Sequence, residues 1–222
     1  VESDRLRDDF NQIKLDKGPI VSTILDTVYE EERRGSGLIY SGIYNSNSGI
    51  NNLNQFIQAE KITKDLNPTY GSIQKLFSRN TDLISLCEDR VIRIQANKDA
   101  IFNADGNPQL IASPNVLGQT MPFSGDYGIS KNPESFTSDS YRAYFTDKSR
   151  SAVLRLSKDG LTPISDYGMS DWFRDNLRNY PKLVGSFDNN KQDYNLTLRE
   201  AHLITGYTPT TLTYNENVKG WT

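Results

Sequence analysis

The sequence predicts a mainly β chain: antiparallel meanders forming part of a β-propeller, preceded by an extended N-terminal arm and interrupted by one or two short helices. Three observations carry that expectation. The apolar runs are short and often interrupted, as in strands. They are separated by turns drawn from 20 Asn and 15 Gly. Three hairpins also repeat one grammar, an apolar strand ending in an acid (Asp89, Asp147 or Asp188), a polar turn with Lys or Arg, and an apolar return. Several short strands recurring at spacings of this kind are what propeller blades look like in sequence, because a blade is stable only when stacked between neighbours. Three hairpins are too few for a closed ring, so either the ring is completed elsewhere or the chain is an irregular antiparallel domain without closure.

Residues 1–35 form the arm or linker, and residues 36–222 the β-rich domain. The arm is charged at Asp4 to Asp9, breaks at Asp16-Lys17-Gly18-Pro19 and is charged again at Glu30 to Arg34. A segment with so little to bury is expected to pack on a neighbour, and Tyr29, Arg33 and Arg34 are its candidate interface residues. Leu53, Phe56 and Ile57 fit a turn or two of amphipathic helix, and the β alternative (Phe56, Gln58, Glu60, Ile62) stays open. Asn67-Pro68 ends this element.

Beyond residue 70 the pattern is β. Ile73 to Phe77 is a short strand, and Asp82 to Cys87 returns through Glu88-Asp89-Arg90 as Val91 to Ile94. Asp105-Gly106 marks a hairpin turn before Leu110-Ile111. Residues 118–138, rich in Gly, Pro and Ser, read as a long ordered loop anchored by Phe123, Tyr127 and Phe136. Tyr141 to Thr146, Ala152 to Ser157 and Leu161 to Ile164 form a meander over two tight turns. Ser170 is placed to cap a short helix through Leu177 that presents Trp172, Phe173 and Leu177 on one face. Val184 to Phe187 turns at Asp188 to Lys191 and returns as Tyr194 to Leu198.

Charge and composition narrow the function. With 25 Lys and Arg against 28 Asp and Glu, a net of −3, there is no basic excess to neutralise phosphates, so neither nucleic acid nor a membrane surface is an expected partner. No apolar run approaches a membrane span, and the N-terminal residues lack a secretion-signal pattern. Cys87 is the single cysteine and His202 the single histidine. That removes an intramolecular disulfide and rests any His-based metal site or Ser-His-Asp set on His202 alone, which reads as a plain surface or turn position. Cys87 reads as a buried structural thiol. Asn103-x-Asp105-Gly106 lacks both terminal carboxylates of a calcium loop, and the oxygens of Asp188, Asn189, Asn190 and Asp193 fit an Asx turn better than a weak calcium site. Glu88-Asp89 are adjacent in a turn and point apart, which disfavours paired glycosidase chemistry. Glu134 and Asp188 remain as the carboxylates that a glycan hydrolase would need. No catalytic residue, cofactor or metal is expected.

Several stretches resemble large virion structural proteins of tailed bacteriophages, especially marine phages. They are Gly37-Leu-Ile-Tyr-Ser-Gly-Ile-Tyr-Asn-Ser-Asn-Ser-Gly49 with Asn54 to Asp65, Ala96 to Ala100 with Asn103 to Gly106, Gly128-Ile-Ser-Lys-Asn-Pro-Glu-Ser135, Leu154 to Ile164, and the hairpin from Gly185 to Leu198. The last is similar to propeller-like blades of phage tail and nozzle components. Tyr214 to Thr222 resembles the start of a further strand that continues in such proteins, which leads us to expect a segment of a longer polypeptide. The resemblance covers roughly residues 15–222 and implies a non-enzymatic component of the tail, neck or baseplate. Such a component is made in the host cytoplasm, located in the virion, partnered by other virion proteins and symmetrically homo-oligomeric. The alternative is a module of the tail that binds a host glycan or receptor, with Phe123 and Tyr127 as contacts.

Overall fold

A computed structural model of the chain describes residues 33–42, 44–56, 62–79, 82–96, 100–102, 108–110, 116–199 and 209–222. Tyr29, His202 and the turn at 103–107 lie outside the described residues, as does most of the arm. The chain divides into two units, Val1–Arg33 and Arg34–Thr222, and every strand among the described residues lies in the second.

The second unit is mainly β, and every strand pair among its described residues is antiparallel. A short β1 (Gly37–Ile39) is followed by a hairpin of β2 (Tyr44–Asn45) and β3 (Ile50–Asn51), and β4 (Thr63–Asp65) pairs back onto β1. The first four-stranded sheet takes β5 (Ile73–Arg79), β6 (Asp82–Cys87) and β7 (Val91–Gln95). A small hairpin of β8 (Ala100–Phe102) and β9 (Pro108–Leu110) then intervenes before the fourth strand, β10 (Thr120–Pro122), pairs with β7. The second sheet is a meander of β11 (Thr137–Ser138), β12 (Ala143–Asp147), β13 (Ala152–Ser157) and β14 (Gly160–Pro163). Helix α1 (Ser170–Asn176) leads to the third sheet, a meander of β15 (Lys182–Asp188), β16 (Asp193–Arg199), β17 (Thr210–Asn215) and β18 (Gly220–Trp221).

The three sheets stack in chain order. Each side chain of β12 is buried because the second sheet is covered on both faces. Ala143 and Phe145 point toward the first sheet, packing with Ile84, Leu86, Val91, Leu154 and Leu156. Tyr144 points the other way, into a cluster with Val153, Phe173, Leu183, Tyr194, Leu196 and Tyr214. Alternate strand residues face opposite sides, so continuous burial is the mark of a middle layer. The far face of the first sheet (Cys87, Ile92, Ile94) is covered by Leu38, Leu66 and Tyr70. The far face of the third sheet is polar instead: Thr197 meets Thr211, Thr213 donates to Asn195, and Asn215 donates to Asp193.

Several expectations are corrected. The hairpins at Asp89 and Asp147 join the second and third strands of their sheets, whereas that at Asp188 joins the first and second strands of the third sheet. The grammar they share is therefore a property of tight hairpins and does not mark one position in a repeat. Ser170 is the first helical residue, Met169 occupies the cap, and no side chain caps the turn. The buried face is as read, with Phe173 and Leu177 inside and Trp172 packed beside them. Leu53 and Phe56 are exposed and belong to no helix. The further strand expected after Tyr214 is β18, which pairs within the third sheet with Tyr214 opposite Trp221. No closed ring forms among the described residues.

Candidate functional site

The most organised polar site lies where the first two sheets meet. Asp147 ends β12 and is fully buried. Burying a carboxylate is costly unless donors surround it, and here they do. One oxygen accepts from Ser130 Oγ at 2.8 Å and from the Arg150 amide at 3.1 Å. The other accepts from the Gly128 amide and from Arg150 Nη1, both at 3.0 Å. Arg150 reaches on to Asp89 in the turn of the first sheet at 3.3 Å. Burial works against the Arg150 cation, but Asp147 and Asp89 outweigh it and raise its pKa. A single guanidinium thus ties two neighbouring hairpins together.

The approach of backbones makes this possible. A Cβ on Gly128 would sit 2.1 Å from the Glu88 carbonyl oxygen, so only glycine lets residues 128–130 lie against the 88–90 turn. Ile129 and Ser130 donate their amides to Cys87 and Glu88. Glu88 is held below the usual carboxylate range, chiefly by the Ser72 hydroxyl and also by Lys131, against the opposing effect of burial. Burial pushes the Cys87 thiol up, against a contact with Ser85, so the residue is a poor nucleophile.

Two open grooves flank the Asp89–Arg150 pair. One, of about 620 Å³, is lined by Glu88, Asp89, Lys131, Lys148 and Arg178. The other, of about 590 Å³, is lined by Asp126, Tyr127, Arg150, Asp166 and Arg174. Their charges are largely engaged in the fold. Arg178 donates to the Ser149 carbonyl at 2.6 Å, Arg90 pairs with Asp126, and Arg174 pairs with Asp171 and Asp175.

A second polar knot joins the second and third sheets at the opposite end of the strands. Glu216, in the β17–β18 turn, accepts from Tyr144 Oη at 2.6 Å and from Arg155 Nη1 at 2.8 Å. Burial first, then the Glu216 carboxylate, raise the Tyr144 and Tyr214 pKa values, that of Tyr214 to about 12. Burial likewise raises that of Tyr194. Ser135 forms a third knot, taking the Thr146 amide on its hydroxyl and the Tyr194 hydroxyl on its carbonyl. Gly185 is required beside it, since a Cβ there would lie 2.1 Å from that same carbonyl oxygen.

The residues proposed from sequence scatter differently. Phe123 and Tyr127 both pack on the core between the first two sheets, and Tyr127 also lines a groove. Arg33 and Arg34 are exposed. Glu134 pairs with Lys182 at the start of β15, while Asp188 ends that strand. Six residue steps at about 3.3 Å put the two strand ends roughly 20 Å apart, too far for a carboxylate pair on one glycosidic bond. Asp188 accepts from the Asn190 and Lys191 amides, an Asx turn. Glu216, Arg155 and Ser130 escape a reading of the sequence. Nothing near them along the chain signals a role, because their partners lie far away in sequence.

Among the described residues no group of three or more His, Cys, Asp and Glu is placed to hold a metal ion, and no helix is long and apolar enough to cross a membrane. No protein-family model matches the chain and no curated protein is significantly similar to it.

Proposed function

We propose that the chain is a non-enzymatic structural component of a tailed-phage virion, in its tail, neck or baseplate, where the stacked sheets act as a rigid platform between subunits. The observation that carries this reading is the middle sheet, buried on both faces and tied to each neighbour by a buried or nearly buried carboxylate. Ionisable groups that an active site would hold ready are consumed by the fold: Asp147 by four donors, Glu216 by a tyrosine and an arginine. Half-exposed grooves with internally paired charges suit assembly contacts better than turnover.

On this reading the three sheets are successive blades of a propeller, and residues 1–35 reach neighbouring subunits through Tyr29, Arg33 and Arg34. The polar outer face of the third sheet constrains that geometry. A further blade stacked beyond it would meet hydroxyls and amides in place of an apolar core. Mass spectrometry of purified particles tests the proposal: the chain should be present in multiple copies, and its absence from intact particles would reject a virion role. Arg33→Glu with Arg34→Glu should reduce its incorporation.

A second reading, binding of a host glycan, is favoured by one observation, the Tyr127 ring lining a groove with Arg150 and Asp126. Saturable binding on a glycan array that disappears with Tyr127→Ala would support it over the platform reading.

A further inference from the structure

Four of the six edge strands of the three large sheets carry guards against pairing with another chain. β5 has Lys75 and Arg79, β10 ends in Pro122, β14 ends in Pro163, and β15 opens on Lys182. Charges and prolines at such positions block further strands. One region departs from this pattern. In a chain that is 24% charged, no residue from Gly35 to Ala59 is Asp, Glu, Lys, Arg or His.

That stretch holds β1 and the β2–β3 hairpin, and it also displays five of the ten large apolar side chains that the described residues leave in solvent. Ile39 is 65% exposed, Tyr44 51%, Ile50 53%, Leu53 55% and Phe56 52%. In the hairpin Tyr44 lies opposite Asn51, and Asn45 opposite Ile50. Tyr44 and Ile50 therefore sit on opposite faces of the ribbon, so each face carries an apolar group. Among the described residues neither ribbon edge has a paired strand. A two-stranded ribbon is marginal in water by itself, and apolar groups concentrated in one segment mark a contact surface more than scattered ones do.

We propose that residues 37–56 are a self-association surface that packs against the same segment of a second copy of this chain. The absence of charge selects the partner. A two-fold interface brings a patch against itself, so each ionised group would face its own kind, and like charges directly opposite are destabilising. A different protein is ordinarily met through complementary charges, and this stretch has none to offer. Its polar groups are those that complement themselves. Asn47, Asn51, Asn52 and Asn54 carry amides that both donate and accept, which neither Lys nor Glu side chains do at neutral pH. The segment follows, in sequence, the arm to which the platform reading assigns subunit contacts.

Sedimentation analysis of the full chain over a wide concentration range tests the proposal, with variants placed at exposed positions. The parent should associate reversibly. Ile50→Lys and Tyr44→Lys should each weaken association about tenfold or more, equivalent to about 1.4 kcal/mol. Ile50→Val should retain it. Val218→Lys, at an exposed apolar position in the β17–β18 turn, should leave both association and melting temperature unchanged. Should a lysine variant fold poorly, Asn51→Cys supplies a second readout: Cys87 is buried, so oxidation should trap a disulfide-linked dimer through the new thiol. A chain that stays monomeric at every concentration would overturn the proposal. So would association that persists in both lysine variants, or that is lost with Arg33→Glu and Arg34→Glu while the lysine variants still associate. The last outcome would assign the contact to the arm and leave the platform reading standing.

Discussion

The two interfaces of the middle sheet solve the same packing problem with different chemistry. Toward the first sheet the contact is mostly aliphatic, Ile84, Leu86, Val91, Leu154 and Leu156 around Phe145, and it is closed at one end by the Asp147–Arg150–Asp89 clamp. Toward the third sheet it is aromatic. Tyr144 stacks on Tyr194 with ring centres 4.9 Å apart, Phe173 and Trp221 meet edge-on at 4.9 Å, and Glu216 gathers the hydroxyl side. Because each face of β12 has its own partner, the strand can alternate Ala and Phe with Tyr and Thr, and each partner imposes its own vulnerability.

The largest effect is expected at the aromatic interface. Tyr194→Ala removes a fully buried ring and should cost about 3–5 kcal/mol of unfolding free energy, as truncation of buried aromatics generally does. Hydrogen exchange should then rise first in β15 to β17 and leave β6 and β7 protected. Equal loss of protection in both regions would show that the two interfaces are not separable. At the other interface Asp147→Ala strands the Gly128 and Arg150 amides and the guanidinium. About 3 kcal/mol is expected, the low end for breaking a buried pair because Arg150 is one-third exposed. Denaturant titration checks the size, and exchange in β6 and β7 checks the place.

Gly128→Ala attacks the same interface through the backbone. The new methyl would meet the Glu88 carbonyl, so a loss of about 1–3 kcal/mol is expected. Asp147 itself would be unaltered. A neutral outcome would mean that the 88–90 turn yields readily.

These targets separate what can be read from the sequence and what cannot. The hairpins at 82–95 and 143–163 are legible almost to the residue, because alternation and turn chemistry are local. The buried helix face of Phe173 and Leu177 is legible for the same reason. The clamp partners are not: Tyr144 and Glu216 are 72 positions apart, and Arg150 and Asp89 are 61. Local pattern carries no information about which turns will meet. The Asp188 hairpin falls out of line with the other two because an acid beside a tight turn serves any hairpin, whatever its place in a sheet. Residue type alone favours Ser170 as a cap, and the helix begins at that residue instead of after it.

Alkaline pH is expected to act on one interface more than the other. Tyr144, Tyr194 and Tyr214 have pKa values raised by burial, that of Tyr214 to about 12. A raised acid pKa favours the neutral ring in the folded state. The associated stability is complete below about pH 10, the unfolded tyrosine value, and is lost as pH rises toward the folded values. Alkaline titration should therefore loosen β16 and β17 before β6 and β7, with tyrosinate absorbance rising at the same pH. Simultaneous loosening would remove the contrast between the interfaces.

The platform reading rests on the three sheets behaving as one rigid body with the middle sheet as its keystone. Native-state hydrogen exchange of the full chain addresses this directly. Amides of β12 and β13 should exchange only through global unfolding, with the same free energy and denaturant dependence as the slowest amides of β6 and β16. Exchange of β12 or β13 through a cheaper, local opening, with the outer sheets still protected, would contradict it.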